Sequence, residues 1–489
     1  MRLAELLVDY EWENMSGRYF LDADILGITA DSRQVEPGFL FAALPGMNID
    51  GRDFIAGAIK AGAVAVLAPV GTSLDLLNDL PVSLVPDKNP RRRYAKMAGR
   101  FYKPQPRHVA AVTGTNGKSS VVDFTRQLWQ ACDQPAASSG TLGLVSPGRI
   151  EGGSLTTPDP VNLHKILAGL ANQGIDHVAV EASSHGLSQF RLDGVCINIA
   201  AFTNLSRDHL DYHKTMKEYF AAKLRLFTEV VAPDGIAIIN ADDEMAEELT
   251  LILVKRGIKF FNYGQSANDI ILKNVDALPD GQRLYLNVMG RDVELTFPLI
   301  GSFQSMNALC ALGIVLADGM DAEKAIPALS KLKGVRGRIE FAARSDKGAG
   351  IYVDYAHTPD ALAHVLTALR EHTKNQLKVV FGCGGDRDQG KRPAMGAIAA
   401  SLADEVIITD DNPRGEDATL IRAQVMSACP GAKEIGDRET AIAVAIDSLS
   451  AGDLLVIAGK GHEQGQIIAE TIISFDDVTI AKNAAGGVA

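Results

Sequence analysis

Residues Ala110 to Ser119 read A-A-V-T-G-T-N-G-K-S: a short apolar run, a turn with two glycines, then a lysine and a hydroxyl. A strand that ends in such a turn and opens a helix aims backbone N–H groups, a helix N-terminus and an ammonium at one point, which suits a polyphosphate. The expected chemistry is binding of ATP or GTP. The spacing departs from G-x-x-x-x-G-K-[ST], since Val112 stands five residues before Gly117 and Gly114 supplies the flexibility later in the turn. On this reading Gly114, Thr115, Asn116 and Gly117 wrap the phosphates and Lys118 reaches the β and γ oxygens. Ser119, with Ser120 beside it in the nucleotide set, holds Mg²⁺ through its hydroxyl. The alternative is a turn whose glycines only make room; the Lys-Ser pair after a complete apolar strand argues against it.

Three more positions could serve the same chemistry. Glu181 directly follows the apolar run His177 to Val180, where a carboxylate can reach a metal beside the loop; the alternative is a cap for the next helix, in a turn crowded by Ser183, Ser184 and His185. A second run ends in T-N-L-S-R-D-H-L-D-Y-H and offers His209, between Asp208 and Asp211, as a metal ligand or phosphate partner. In the segment Lys217 to Phe227, Phe220, Leu224 and Phe227 form an apolar stripe, and Lys223 lies on or beside it. The helix pattern alone favours a lysine whose stem covers apolar surface while its head reaches water. A buried Lys223 would instead be a neutral amine, able to react with carbon dioxide and become a carbamate, turning a cation into a metal ligand.

The elements that must position these residues read as α/β throughout. Up to about Arg107, short strands (Phe39 to Ala43, Ala63 to Ala68) alternate with helical stretches such as Phe54 to Lys60, and Pro104 and Pro106 mark a connection. The second segment adds strands at His177 to Val180, Ile197 to Thr203, Ile236 to Asn240 and Lys259 to Tyr263, which predicts a mostly parallel, helix-covered sheet. An antiparallel section follows (Arg283 to Val288, Val293 to Phe297), then a helix from about Phe303 to Leu316. The third segment has strands Ile351 to Asp354, Lys378 to Gly382, Glu405 to Thr409 and Leu454 to Gly459. They run into D-Y-A-H-T-P-D, G-C-G-G-D-R-D, D-D-N-P-R-G-E and G-K-G-H-E, and such strand tips form one face of a site in a Rossmann-like domain. The expected domains are 1–106, 107–334 and 335–489, with a disordered A-G-G-V-A tail.

Length and charge bound the rest. A chain of 489 residues implies several domains, and 60 acidic against 48 basic residues (net charge −12) argue against a nucleic-acid partner. Arg91, Arg92 and Arg93 read as a solvated helix start. Five cysteines without C-x-x-C spacing suggest neither zinc nor a disulfide framework. MRLAELLVDY carries no signal-peptide pattern and no apolar run is long enough to span a bilayer, so a cytoplasmic protein without a membrane partner is expected.

Taken in order, T-G-T-N-G-K-S, E-A-S-S-H-G-L, D-H-L-D-Y-H, Y-F-A-A-K and the C-terminal strand tips resemble the Mur ligases of peptidoglycan synthesis over nearly the whole chain. The resemblance implies an N-terminal uridine-nucleotide domain, a central ATPase domain and a C-terminal Rossmann-like domain that closes over ATP and an incoming amino acid. It puts Ser32, in I-T-A-D-S-R-Q-V-E-P-G, near the uridine nucleotide, where the plainer reading is a tight turn built from Asp31 and Ser32. It assigns Thr156, Thr157, Ser183, Gln189 and Arg191 to the UDP-N-acetylmuramoyl-dipeptide; Leu155 replaces the family's frequent Asn. It makes Lys223 the carbamylated lysine that helps Glu181, His209 and Ser119 manage Mg²⁺, and it assigns Asn307, Arg338, Asp354 and His357 to ATP, with Gln304 where the family often has Asn.

Asp411, Asn412, Pro413 and Arg414 form D-N-P-R, similar to the signature of the members that add meso-diaminopimelate rather than lysine. Arg387, Gly459 and Glu463 would complete that pocket. Arg414 can bind the second carboxylate of diaminopimelate bidentately, whereas lysine offers only an ammonium there. The implied reaction phosphorylates a D-glutamate carboxylate with ATP and lets the amine displace phosphate, in a monomer. Alternatives are the same mechanism with L-lysine, chain elongation of the folylpolyglutamate kind, or a nucleotide-switched binding protein.

Overall fold

In a computed structural model the chain is described over residues 1–10, 17–46, 49–77, 80–153 and 155–486. Residues 487–489 of the tail expected to be disordered, and the Asp211 side chain, lie outside the described residues. The chain divides into two compact units, Met1–Asn262 with Gly313–Asp321, and Tyr263–Leu312 with Ala322–Ala489. No helix among the described residues is long and apolar enough to cross a membrane.

The first unit opens with four parallel strands in sequence order, Gly27–Thr29, Phe39–Ala42, Ala65–Pro69 and Ser83–Asp87. Pro90 opens the helix Pro90–Phe101, and the Asn89 side chain caps it by accepting from Arg92 N at 3.1 Å. The arginine run at this helix start is not the solvated face expected from sequence. Arg93 is only 11% exposed, because its guanidinium pairs with Asp87 and Asp9, and Arg92 reaches Asp193 at 2.8 Å. Burial would raise the Asp9 carboxyl, but the hydrogen bond from Arg100 and the charges of Arg93 and Lys96 outweigh it and hold that group well below the usual range.

Five further strands of this unit lie side by side and parallel: Val231–Asn240, Ile197–Phe202, His108–Thr113, His177–Glu181 and Ala136–Gly140. Their near-continuous apolar runs follow from burial on both faces, with Val109, Ala111, Val178, Val180 and Ala200 in one core with Leu163, Leu167, Phe220 and Phe227. Register decides the site. Val112 pairs with Glu181 and Thr113 with Phe202, so the three central strands end almost flush and their following loops converge.

In the second unit Ile270–Leu278, Gly281–Val288 and Arg291–Phe297 form an antiparallel set. The first of these was not legible in sequence, since Lys273, Asn274 and Asp276 interrupt its alternation. Six strands run in the order Glu340–Arg344, Gly350–Asp354, Leu454–Ala458, Leu377–Phe381, Glu405–Ile408, Lys433–Glu434; the first pair is antiparallel and the rest parallel, the Rossmann-like arrangement expected. Apolar cores cover this sheet, one built on Leu362, Leu366 and Met395, the other on Ile442, Ile446 and Ala481.

A fully buried ion pair ties the second of these layers to a strand tip. Arg438 Nε and Nη2 donate to Asp477 Oδ1 and Oδ2, both at 2.8 Å, and Nη2 also reaches Ala458 O at 3.0 Å. Asp477→Ala leaves the guanidinium buried and unpaired and should cost about 3–5 kcal/mol, read as an earlier urea transition. The double replacement Arg438→Met/Asp477→Leu should recover most of that loss.

Candidate active site

The turn between strand His108–Thr113 and helix Lys118–Ala131 is held from its neighbour strand. Thr115 N donates to Asn204 O at 2.8 Å, Asn116 N to Asn204 Oδ1 at 2.9 Å, and Thr203 Oγ1 to Asn116 O at 2.6 Å. This packing leaves no room at Gly114, whose φ is 150°: a Cβ there would sit 1.8 Å from Thr203 Oγ1. The glycine is therefore required by close approach as well as by backbone angle.

Two ammonium groups meet on one carbonyl. Lys118 Nζ donates to Gly114 O at 2.9 Å and to Thr115 O at 2.8 Å, and Lys223 Nζ donates to the same Gly114 O at 2.7 Å. Lys223 is 1% exposed, in helix Met216–Arg225, with its Nζ 4.2 Å from the Tyr219 ring centroid. The water-reaching lysine favoured by the helix pattern is thus overturned, because the stripe packs against the phosphate-loop strand instead of facing solvent. Burial, reinforced by the Lys118 charge, pushes the Lys223 amine well below its ordinary value, so its neutral form is favoured.

Glu181, 2% exposed, accepts from Ser119 Oγ at 2.9 Å and Thr141 N at 2.8 Å on Oε1, and from Thr141 Oγ1 at 3.2 Å on Oε2. It does not cap the following helix. Ser183 does so, accepting from Gly186 N at 3.0 Å. Gly140 makes the carboxylate's approach possible, since a Cβ there would lie 2.1 Å from Glu181 Oε1. Thr141 was missed in sequence; its signal is its place just after the buried strand Ala136–Gly140.

Thr156 Oγ1 lies 3.0 Å from Thr141 Oγ1, and Thr157 Oγ1 lies 2.8 Å from Glu181 O and 3.0 Å from Ser183 Oγ. Arg191 donates to Thr157 O at 2.6 Å and Gln189 Oε1 at 2.8 Å, so the five residues assigned to the dipeptide form one connected group. Next to it is a cavity of about 170 Å³ lined by Gly140, Leu155, Asp159 and Asn162 among others. His209, half-exposed with φ 53°, stands edge-on to His185 (4.9 Å between rings) and 6.1 Å from Tyr219, whose hydroxyl reaches Thr115 Oγ1 at 3.3 Å. Ser120 is buried in the first turn of the loop helix. Asp31, not Ser32, builds the N-terminal turn, accepting from Arg33 N at 3.0 Å.

In the second unit, D-N-P-R is a buried polar junction. Asn412 Nδ2 donates to Glu463 Oε2 at 2.8 Å, and Asn412 Oδ1 accepts from Lys460 Nζ at 2.9 Å and Ile467 N at 2.9 Å. Lys460, fully buried and 3.1 Å from Glu463 Oε2, went unremarked in G-K-G-H-E. Arg414, with φ 52°, is held by Arg414 N to Ile467 O at 3.1 Å and Ala469 N to Arg414 O at 2.8 Å. Its Nη1 donates to Gly385 O at 2.9 Å and lies 3.4 Å from Asn412 O; among the described residues no carboxylate pairs with it. Arg387 is exposed near this tip. Asp411 is buried beneath Gly459, where a Cβ would come 2.7 Å from Asp411 Oδ2, and burial pushes its carboxyl up.

Asp354 accepts from Ile339 N and Ala356 N, both at 2.7 Å, so its carboxylate holds the turn that carries Arg338. Arg338 and His357 flank the Tyr355 ring at 5.2 and 4.5 Å. Asn307 Nδ2 donates to Gln304 Oε1 at 3.3 Å, and Gln304 Nε2 to Arg338 O at 3.2 Å, which links Asn307 to the same turn.

Comparison with known proteins agrees with this arrangement. The Mur ligase family catalytic domain matches residues 24–112, the Mur ligase middle domain 112–315, and the Mur ligase glutamate ligase domain 337–461. The UDP-N-acetylmuramoyl-L-alanyl-D-glutamate--2,6-diaminopimelate ligase of Zymomonas mobilis is 52% identical over 467 residues, 95% of each chain. A solved structure of a ligase of that name is 34% identical, covers 99% of both chains and has a TM-score of 0.75. MurF ligase from Thermotoga maritima in complex with ADP, 17% identical, shares the fold over 90% of this chain and 94% of its own, with a TM-score of 0.61. Identity at this level over nearly the full length, joined to a phosphate loop and a Rossmann-like C-terminal domain, makes the chain a member of the Mur ligase family: a three-domain α/β, ATP-dependent ligase.

Proposed function

We propose that this ligase joins meso-diaminopimelate to the D-glutamate carboxylate of UDP-N-acetylmuramoyl-L-alanyl-D-glutamate in peptidoglycan precursor synthesis. The relatives' names support the substrate pair. The observation that carries the choice of amino acid is Arg414, a guanidinium fixed by its own backbone and bonded, among the described residues, only to carbonyl oxygens. Such a group keeps paired donors for a ligand carboxylate, which diaminopimelate has and lysine lacks at that end. Asn412, Lys460 and Glu463 hold the neighbouring tip, where Glu463 accepts from the ligand's ammonium, with Arg387, Asp411, Pro413 and Gly459 completing the pocket. On this reading residues 1–106 bind the uridine nucleotide near Ser32, 107–334 bind ATP, and 335–489 bind the amino acid.

In the reaction, Gly114 to Ser120 hold the triphosphate, with Lys118 moving from its two carbonyls to the β and γ oxygens. Asn307, Arg338 and His357 complete the nucleotide contacts, and Asp354 orients the Arg338 turn. Thr156, Thr157, Ser183, Gln189 and Arg191 position the dipeptide. Phosphorylation gives the D-glutamate carboxylate a leaving group, and the amine attacks the carbonyl and expels phosphate. The paired oxygens of Ser119 and Glu181, 2.9 Å apart, are hard donors that fit Mg²⁺, with His209 and a Lys223 carbamate as further ligands. Mg²⁺ would supply charge neutralisation on the transferring phosphoryl oxygens.

Lys223 fits carbamylation because two full ammonium charges on Gly114 O would repel. The neutral amine attacks carbon dioxide, forms an N–C bond, loses a proton and becomes an anion beside Lys118.

Mass spectrometry should detect amide product with diaminopimelate in preference to L-lysine, and Arg414→Ala should lower kcat/KM for diaminopimelate by about 10–100-fold. Equal use of lysine by the unaltered enzyme would sink the assignment. Lys223→Met should abolish ligation while raising the melting temperature, since it removes a buried amine. A lysine with a depressed folded-state value loses stability wherever the unfolded chain holds the proton, and that loss disappears as pH rises towards about 10.4. The stability gain of Lys223→Met should therefore shrink between pH 7 and pH 10, a trend that differential scanning calorimetry can read.

A further inference from the structure

At the opposite ends of the same strands stands a second cluster, unconnected with the phosphate loop. His108 and His177 are the first residues of adjacent parallel strands and pair in register, which puts both side chains on one face. Their rings stack at 4.3 Å and 9°. Asp318, just beyond helix Ser302–Ala317, brings its carboxylate to both. His108 Nδ1 lies 2.7 Å from Asp318 Oδ1, and His177 Nε2 lies 3.4 Å from Oδ2. The three ligand atoms all fall within 4.8 Å of one another. Trp129 Nε1 donates to Asp318 Oδ2 at 2.9 Å and so fixes the carboxylate from outside.

As a hydrogen-bonded clasp this cluster is incomplete. His177 is 6% exposed, and its Nε2 is buried without a hydrogen-bond partner among the described residues. A buried polar atom left in that state costs about 1–3 kcal/mol. A cation would take up one carboxylate oxygen and, with the stacked rings turned so that their planes converge, the lone pair of each imidazole together. The Nε2 to Oδ2 separation of 3.4 Å is close to the ligand spacing of a tetrahedral ion with bonds of about 2.0–2.1 Å.

We propose that His108, His177 and Asp318 form a binding site for a divalent transition-metal ion of the zinc class. Two imidazoles with one carboxylate favour such an ion over Mg²⁺, and Trp129 supplies the outer hydrogen bond that orients the carboxylate. The His108 side chain is 40% exposed, so water has access to the fourth position. The strand from His108 to Thr113 spans roughly 17 Å at about 3.3 Å per residue, so the ion does not touch the reacting atoms. It clamps two strand starts to the end of a helix.

Trp129 gives a direct readout. In a Trp12→Phe background with Mg²⁺ in excess, Co²⁺ should quench Trp129 fluorescence with saturation at one equivalent and give visible absorption typical of a tetrahedral site. Zn²⁺ should displace it and raise the melting temperature. His177→Gln and the half-exposed His108→Ala should each weaken Co²⁺ binding at least roughly tenfold, by comparison with the losses seen when even outer-shell partners are removed. His209→Gln should leave the quenching unchanged. Absence of saturable quenching, unchanged affinity in both His108→Ala and His177→Gln, or loss of quenching in His209→Gln would each overturn the site.

Discussion

The convergence of Lys118 and Lys223 on the single carbonyl of Gly114 is the constraint around which the catalytic half of this ligase is arranged. Burial and the charge of Lys118 disfavour a second cation at Lys223, and Glu181 is engaged by Ser119 and Thr141. The proposed function brings an anion to this pocket. A triphosphate, a carbamate or both would complete it, and the buried amine of Lys223 is the group whose protonation can adjust.

Backbone packing makes that convergence possible. Gly114 is pressed against Thr203, Gly140 against Glu181, and the loop's own N–H groups are partly committed to Asn204. These contacts come from the ends of neighbouring strands, and the in-register pairing of Val112 with Glu181 and Thr113 with Phe202 brings the three central ends level. A shift of register by one residue would turn Glu181 to the other face of the sheet. The geometry of the phosphate site is thus a property of the sheet more than of the loop.

The C-terminal strand tips follow a related logic. Asn412, Lys460 and Glu463 satisfy one another, leaving Arg414 as a cation whose partners among the described residues are carbonyls. Its left-handed backbone is fixed by Ile467 and Ala469, so the guanidinium is placed by main-chain bonds. The selectivity proposed for Arg414 would rest on preorganisation, because a carboxylate ligand would meet a donor pair that needs little rearrangement.

Much of this was legible in the residues. Apolar runs such as His177 to Val180 and Leu454 to Gly459 announce buried parallel strands, and T-G-T-N-G-K-S announces a phosphate loop, because local composition and spacing suffice for both, whereas the reading of D-N-P-R rested on the family resemblance. What sequence could not supply were contacts between segments far apart in the chain. By helix pattern alone, without the family resemblance, Lys223 reads as a surface lysine, whereas the fold sets it against Gly114, 109 positions away. Arg93 reads as solvated until Asp9 and Asp87 close on it, and the strand-end place of Thr141 gains a meaning only when Glu181 arrives beside it. Burial and long-range pairing, which depend on register and on which faces pack, were decided by tertiary structure alone.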